Sequence, residues 1–387
     1  MRANFVICLV SLALAGGSIG GPIEVIRAVG LEGEGNVEAA AAWRELADSE
    51  ASELIPILRG MRGANPLAAN WLRSAVDTIS DRAGAELPVA ELGEFLLDTR
   101  QNPRARRLAF ELIAKADPPA AEALVPGMLA DPSQELRRDA VAGLIAQAET
   151  LAKAENQAGA TLIYRQALGA ARDIDQVKML AKRLRELGRE VDLPRHFGFL
   201  MRWKAIAPFD NSRREGFDRA YPPEQQIDLA ETYDGKGKKV QWQPLETSHD
   251  FGIVDFNKPF GMVKDAVGYA YTTFESASAR PVELRLGCKN AWKVWLNGEL
   301  LFGRDEYHRG MRIDQYRIPA QLEAGKNEIL IKLCQNEQTE EWTVQWEFQL
   351  RVCDSSGTAV LSSGRLPTPV ASGGRRPGRR ANKEESE

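Results

Sequence analysis

Trp342-Thr-Val-Gln-Trp-Glu-Phe-Gln-Leu-Arg-Val352 alternates apolar and polar residues along its whole length. Trp342, Val344, Trp346, Phe348, Leu350 and Val352 share one parity, and Thr343, Gln345, Glu347, Gln349 and Arg351 share the other. Successive side chains of a strand point to opposite faces, so the spacing predicts one long strand with a buried face and a wet face. On this reading Trp342 and Trp346 are core. Working outward, strand-like segments recur at Trp203–Pro208, Val240–Pro244, Ile253–Phe256, Val267–Phe274, Val282–Cys288, Trp292–Leu296, Met311–Ile318 and Glu328–Cys334. Short strands punctuated by turns predict an antiparallel β-sandwich and not a parallel α/β sheet. Asn297-Gly298 supplies the positive backbone angles of a tight hairpin turn, and Gly325-Lys326-Asn327 forms a second turn before a buried strand.

The chain before this region reads differently. From Val37 to Leu200 it is rich in Ala, Leu, Arg and Glu, with Gly and Pro mostly at breaks. Asn102-Pro103 precedes Arg106-Arg107-Leu108-Ala109-Phe110, and Asp131-Pro132 precedes Arg137-Arg138-Asp139-Ala140-Val141. Arg107 to Arg138 and Ala109 to Ala140 give the same offset, 31 residues. In each copy Asn or Asp can cap a helix and Pro can fill its first turn, with apolar residues following at helical spacing. Leu54 to Met61 with Ala68 to Ile79 is a weaker earlier copy. The pattern resembles the HEAT-type repeat, and that resemblance implies an α-solenoid of stacked helix pairs. A further pair, Ala160–Ala171 and Ile174–Leu187, spaces Tyr164, Ala167, Leu168 and Ala171 as in a tetratricopeptide hairpin, and Gly188 is its natural stop. Arg104, Arg106, Arg107, Arg137 and Arg138 lie near helix starts and read as solvated charge.

Charged residues are 27% of the 387, hydrophobic residues 44%, and the net charge is -4. This balance suits a soluble protein of more than one domain and gives no clustered positive field for nucleic acid. Met1-Arg2, the apolar run Phe5–Ala15 and the small-x-small Ala13-Leu14-Ala15 form the pattern of a secretory signal peptide. Export to periplasm or exterior is therefore expected, with no membrane span after cleavage. Loss of Cys8 would leave Cys288, Cys334 and Cys353, an odd set in which only Cys288 with Cys334 is a conceivable pair. The expected divisions are a signal peptide over 1–20, a helical-repeat domain over 21–200, a β-domain over 201–354 and a disordered tail over 355–387.

Several segments carry a family comparison: Val282–Cys288, Lys293-Val-Trp-Leu-Asn-Gly298, Leu322-Glu-Ala-Gly-Lys-Asn327 running into Ile329–Leu333, and Trp342–Asp354. Together they resemble galactose-binding-like jelly rolls of the carbohydrate-binding-module type. Trp203–Asn211 is similar to the segment that leads into such modules. The resemblance covers roughly Trp203 to Asp354, and it implies a jelly roll that binds carbohydrate.

No catalytic signature accompanies it. His196, His249 and His308 lack metal-ligand spacing, and there is no nucleophile elbow, phosphate loop or Cys-x-x-Cys. Asp305-Glu306 and Glu340-Glu341 are acidic pairs of the kind used in glycoside hydrolysis, although adjacent loop acids are ordinarily just solvated. The expectation is no catalytic residue, no metal and no cofactor. The candidate binding surface is the charged and aromatic loop Phe302–Arg312, in which Arg304, Asp305, Tyr307, His308 and Arg309 can hydrogen-bond a polyol while Tyr307 stacks on it. Trp242 and Trp295 read as either core or platform.

The expected function is an exported, non-catalytic binding or scaffolding protein, with a polysaccharide or glycan as partner for the jelly roll and a protein partner for the repeats. One alternative is a cell-envelope protein–protein adaptor with a purely structural jelly roll. A second is a divergent glycoside hydrolase accessory protein.

Overall fold

Three helix starts in the N-terminal region share one chemistry, an Asn or Asp cap followed by Pro: Asn65-Pro66, Asn102-Pro103 and Asp117-Pro118. The computed structural model describes residues 21–84 and 86–370. The expected signal peptide and the end of the expected tail (371–387) lie outside the described residues. Two compact units divide between Thr150 and Leu151, earlier than the boundary expected at residue 200. Among the described residues, no helix is long and apolar enough to cross a membrane.

The first unit is helical: α1 (Pro22–Arg27), α2 (Asn36–Ala47), α3 (Leu54–Gly60), α4 (Pro66–Ala83), α5 (Val89–Leu97), α6 (Pro103–Ala116), α7 (Pro118–Leu124) and α8 (Gln134–Lys153). Leu72, Ala75, Val76 and Ile79 of α4 recur at the spacing of one helix face, and all four are fully buried. Asn65 caps α4 through Ala68 N at 2.9 Å. Asn102 caps α6 through Arg104 N at 2.9 Å. Each cap also donates backward from Nδ2, Asn65 to Val29 O and Asn102 to Met61 O. One residue type thus closes its own helix and ties it to an earlier helix end.

Two expectations fail here. Asp131-Pro132 does not open α8, which begins at Gln134. Instead Asp131 accepts from Ser133 N and forms a bidentate pair with Arg106 (2.8 and 2.5 Å). Arg106 and Arg137 are also not solvated: they are 2% and 6% exposed, because their guanidinium groups satisfy backbone carbonyls, Leu96 O at the end of α5 and Asp131 O in the turn before α8.

The second unit opens with α9 (Gln157–Ala170), α10 (Ile174–Glu186) and α11 (Leu193–Phe197). Gly188, at φ +68°, ends α10 as expected, its N–H bonding Arg185 O and that of Arg189 bonding Leu184 O. The strands follow: β1 (Arg202–Asp210), β2 (Thr232–Asp234), β3 (Lys239–Gln241), β4 (Gln243–Glu246), β5 (Val254–Asp255), β6 (Ala266–Ser276), β7 (Arg280–Cys288), β8 (Trp292–Leu296), β9 (Glu299–Arg304), β10 (Tyr316–Leu322), β11 (Gly325–Gln335) and β12 (Glu347–Cys353). Among the described residues they form a six-stranded sheet, β4-β1-β6-β11-β8-β9, a four-stranded sheet, β10-β7-β12-β5, and the β2-β3 pair. Every pairing is antiparallel.

The two larger sheets share one apolar core. Trp203, Ala270, Trp292 and Ile331 come from the first, and Leu286, Ile318, Phe348 and Leu350 from the second. Trp346, completely buried just before β12, joins them, and each such side chain contributes roughly 1.5–3 kcal/mol. A second cluster, including Phe209, Tyr221, Tyr269 and Trp295, covers the outer face of the six-stranded sheet. Trp295 is thereby core, at 7% exposure, and Trp242 is half-buried against Tyr271.

Strand limits differ from expectation in instructive places. The segment expected over Val240–Pro244 is two strands parted at Trp242, and the one expected over Met311–Ile318 starts only at Tyr316. The loop expected from Phe302 begins as strand, since Asn297 (φ +52°) and Gly298 (φ +83°) turn β8 directly into β9. The strand expected from Trp342 begins at Glu347, and Glu341–Thr343 forms a 3₁₀ turn that leaves Trp342 62% exposed. Nor is the second face of β12 wet, because Gln349 and Arg351 are 3% and 2% exposed. The cover includes α11, which packs on β12, and residues 355–360, where Ala359 bridges Cys353 and Val360 N bonds Val352 O.

Residues 355–370, expected as disordered tail, are a strap. Ser363 N bonds Glu275 O, Arg365 Nη1 donates to Phe199 O at 2.8 Å, and Thr368 Oγ1 donates to Asp192 at 2.8 Å. Cys288, Cys334 and Cys353 are all buried free thiols, and burial pushes Cys288 and Cys334 up to about 12.

Candidate functional site

The rim of the two-sheet stack near the end of β11 gathers three loops, 211–217, 305–315 and 336–346. Asn211 is the buried hub. Its Nδ2 donates to Gln335 O at 2.9 Å and to the Tyr307 hydroxyl at 3.1 Å, which ties the first two loops to β11. Asn336, fully buried, continues the frame: its O accepts from Asp265 N, and its Oδ1 lies 2.9 Å from His308 Nε2.

His308 sits at φ +57°, where a residue with a Cβ is strained, and the structure around it holds it there. Its backbone N–H reaches Asn290 Oδ1 at 3.4 Å, and its ring donates from Nε2 to Asn336. The imidazole then meets the Trp342 indole edge-on, with centroids 5.2 Å apart and planes at 82°. An exposed indole is therefore braced by a fixed ring. Thr343, the next residue, is buried, and its Oγ1 donates into the same turn, so the backbone beneath Trp342 is anchored.

The five residues expected to bind ligand divide into groups. Tyr307 and His308 come together, with ring centroids 6.1 Å apart. Tyr307 is not a free stacking surface: it is half-buried, the Arg214 guanidinium lies 5.2 Å over its ring, and burial pushes its hydroxyl above the usual range. Arg214 is itself held by Glu337 at 2.6 Å. Arg304 ends β9 and lies over the exposed Phe302 ring at 5.2 Å. Asp305 is exposed, and its carboxyl is raised, first by partial desolvation and then by the charge of Asp218. Arg309 is exposed, with Glu306 3.5 Å away.

Sequence reasoning missed Trp342, Asn211, Arg214 and Asn336. The signal for Trp342 was the polar run Gln335–Glu341 just before it, which leaves the indole beyond the end of one strand and ahead of the next. Chemically the rim offers an aromatic face, four exposed arginines (Arg213, Arg214, Arg309 and Arg312) and several carboxylates. Among the described residues no three His, Cys, Asp or Glu side chains converge as metal ligands. Glu340 and Glu341 are exposed and make no pair with the His308 ring.

No known family profile matches the chain, and no curated protein matches it. Among solved structures it is similar to an FMN-binding β-glucuronidase from Facaelibacterium prausnitzii, at 12% identity and a TM-score of 0.23, covering 40% of this chain and 23% of that one. It is also similar to a GH31 α-xylosidase from Xanthomonas citri, at 9% identity and a TM-score of 0.19, covering 40% of this chain and 16% of that one. The chain thus spans less than a quarter of either protein, and likeness at this level carries no argument about function.

Proposed function

We propose that this chain is an exported, non-catalytic binding protein whose two-sheet region is a jelly roll that binds carbohydrate at the rim holding Trp342. The observation that carries this reading is the exposure of Trp342, 62%, on a turn anchored by the buried Thr343 and braced by the His308 ring. An indole kept in water at a rigid rim loses hydration free energy that a partner with an apolar face can recover. The C–H face of a pyranose is such a partner. Arg309 and Asp305 stand on the same 305–315 loop to hydrogen-bond its hydroxyls. The export reading rests on the Met1–Ala15 pattern. The helical first unit, with its recurring Asn caps, is read as a short HEAT-like stack that binds protein.

Native gels cast with cellulose derivatives, xylan, mannan and pectin test the proposal directly. Retardation of the native chain in at least one gel, reduced in Trp342→Ala and less so in Trp342→Phe, is the expected result. Equal mobility in every gel, or retardation unchanged by Trp342→Ala, overturns it.

A further inference from the structure

A second depression lies on the outer face of the six-stranded sheet, away from the rim. It encloses about 310 Å3, within the range of small-ligand clefts. Tyr271, Trp295 and Leu330, from three adjacent strands, make its floor, and each is only 6–7% exposed. One wall is the Asn297-Gly298 hairpin. The other is the segment Pro223–Ile227, on which Gln225 and Gln226 are exposed.

That second wall is pinned by a buried lysine. Lys332, fully buried in the middle of β11, donates to Phe217 O at 3.0 Å, Arg219 O at 2.8 Å and Glu224 Oε1 at 2.8 Å. All three ammonium protons are placed. The Tyr269 hydroxyl donates to the same Glu224 oxygen. The Gln225-Gln226 wall is thus a fixed ledge next to an anchored carboxylate.

We infer that this groove is a second sugar site, independent of Trp342, and that it takes a neutral, hydroxyl-rich chain in preference to an acidic one. This rests on the carbohydrate-binding reading above. The electrostatics decide the class. Glu224 is neutralised by Lys332, and Glu328 by Lys326 at 2.6 Å. Among the described residues, no lysine or arginine lines the groove, and the nearest cations, Lys332 and Lys326, are already paired with its two carboxylates, so an acidic polymer finds no unpaired counter-charge there. A neutral glycan needs what is present: a dry aromatic floor for its apolar face, and amides that both donate and accept for its hydroxyls.

The test is calorimetric titration of the full chain with cellohexaose, xylohexaose, mannohexaose and, as the acidic probe, hexagalacturonate. A neutral hexasaccharide is expected to bind. Trp342→Ala should retain a binding event, and Gln225→Ala/Gln226→Ala should weaken that event by about tenfold or more. The two glutamines are exposed, and circular dichroism checks that the double variant keeps its fold. Binding of a neutral probe that is indifferent to the glutamine pair, or tighter binding of hexagalacturonate, overturns the groove while leaving the carbohydrate reading intact. Silence from all four probes overturns both.

Discussion

The Arg351 guanidinium grips Asp314 in two parallel hydrogen bonds, Nε to Oδ1 and Nη2 to Oδ2, both 2.6 Å. Asp314 also takes Arg285 Nη1 at 2.7 Å, so one carboxylate serves two arginines that are each nearly inaccessible to water. The remaining Arg351 nitrogen donates to Phe197 O, at the end of α11, and to Gly357 O, in the strap, both at 3.1 Å. Burial works to raise the Asp314 carboxyl. The hydrogen bonds and charges of Arg351 and Arg285 outweigh it and hold the group below the ordinary range. This cluster organises the outer face of the four-stranded sheet.

Asp314→Ala should therefore destabilise the second unit severely. It takes from Arg351 the carboxylate that grips it, while Arg285 keeps Glu283 at 2.7 Å, and breaking such a buried pair costs about 3–5 kcal/mol. Removing charge from both sides with Asp314→Leu/Arg351→Met should lose less than the single change. Urea unfolding of the three chains side by side checks the order. A single variant as stable as the native chain contradicts the account.

Acid acts on a different residue first. Burial, followed by the charge of Arg172, depresses His196 from 6.5 to about 4, and its Nε2–H donates to Ala171 O at 3.1 Å. A histidine whose folded pKa is depressed binds fewer protons folded than unfolded between those two values. Stability is thus full above pH 6.5 and drains away as pH falls towards 4. The whole contribution is about 3 kcal/mol at most. Asp314, whose folded pKa is also depressed, adds its loss at lower pH, below its ordinary 3.8. His196→Gln should flatten the upper window and leave the lower one. Thermal melts from pH 7.5 to 3 read both, and a native profile flat between pH 6.5 and 4 would contradict the assignment.

Strand periodicity located β1, β6, β7, β8 and β11 because those strands carry runs of buried residues along a face fixed by local parity. The same parity misled at Trp342. Alternation reports which side a residue takes once a strand exists, and it is silent on where pairing begins. It also misread Arg351. Parity placed that side chain opposite Phe348 and Leu350 correctly, but a second layer over that face comes from residues up to 154 positions away, at Phe197. Arg106 hid for the same reason, its partner Asp131 lying 25 residues downstream. Of the candidate site, the loop was legible from its density of charge and aromatics. The frame was not, because Asn211 and Asn336 are ordinary loop residues until the fold brings them to Gln335 and His308.

Asn102 should prove worth more than an ordinary cap. Its Oδ1 accepts from Arg104 N and Ala105 N, while Nδ2 donates to Met61 O at 3.0 Å. Asn102→Ala loses about 1 kcal/mol as a cap and also removes the shorter of two hydrogen bonds to Met61 O, which still accepts from Ala64 N at 3.2 Å. Asn102→Asp restores the acceptor but not the donor, so it should fall between the two. Hydrogen exchange at the Arg104 and Ala105 amides is the readout, fastest in the alanine variant. Identical rates in the alanine and aspartate variants would mean that the cap contributes nothing.

Gly268 is required by the core and not by its backbone angle. It lies in β6 facing the shared core, where an added Cβ would stand 2.6 Å from Phe256 Cε1 and 3.0 Å from Trp346 Cζ2. Both rings are completely buried and lean on one another with centroids 5.1 Å apart, so neither has room to retreat. Overpacking of this kind costs about 1–3 kcal/mol. Gly268→Ala should sit in that range and should disturb the near-ultraviolet signal of the aromatics without reducing strand content. The double variant Gly268→Ala/Phe256→Leu should recover part of the loss, because the smaller leucine frees the space the new methyl needs. If the double variant is no more stable than Gly268→Ala, the clash with Phe256 is not what excludes a side chain at this position.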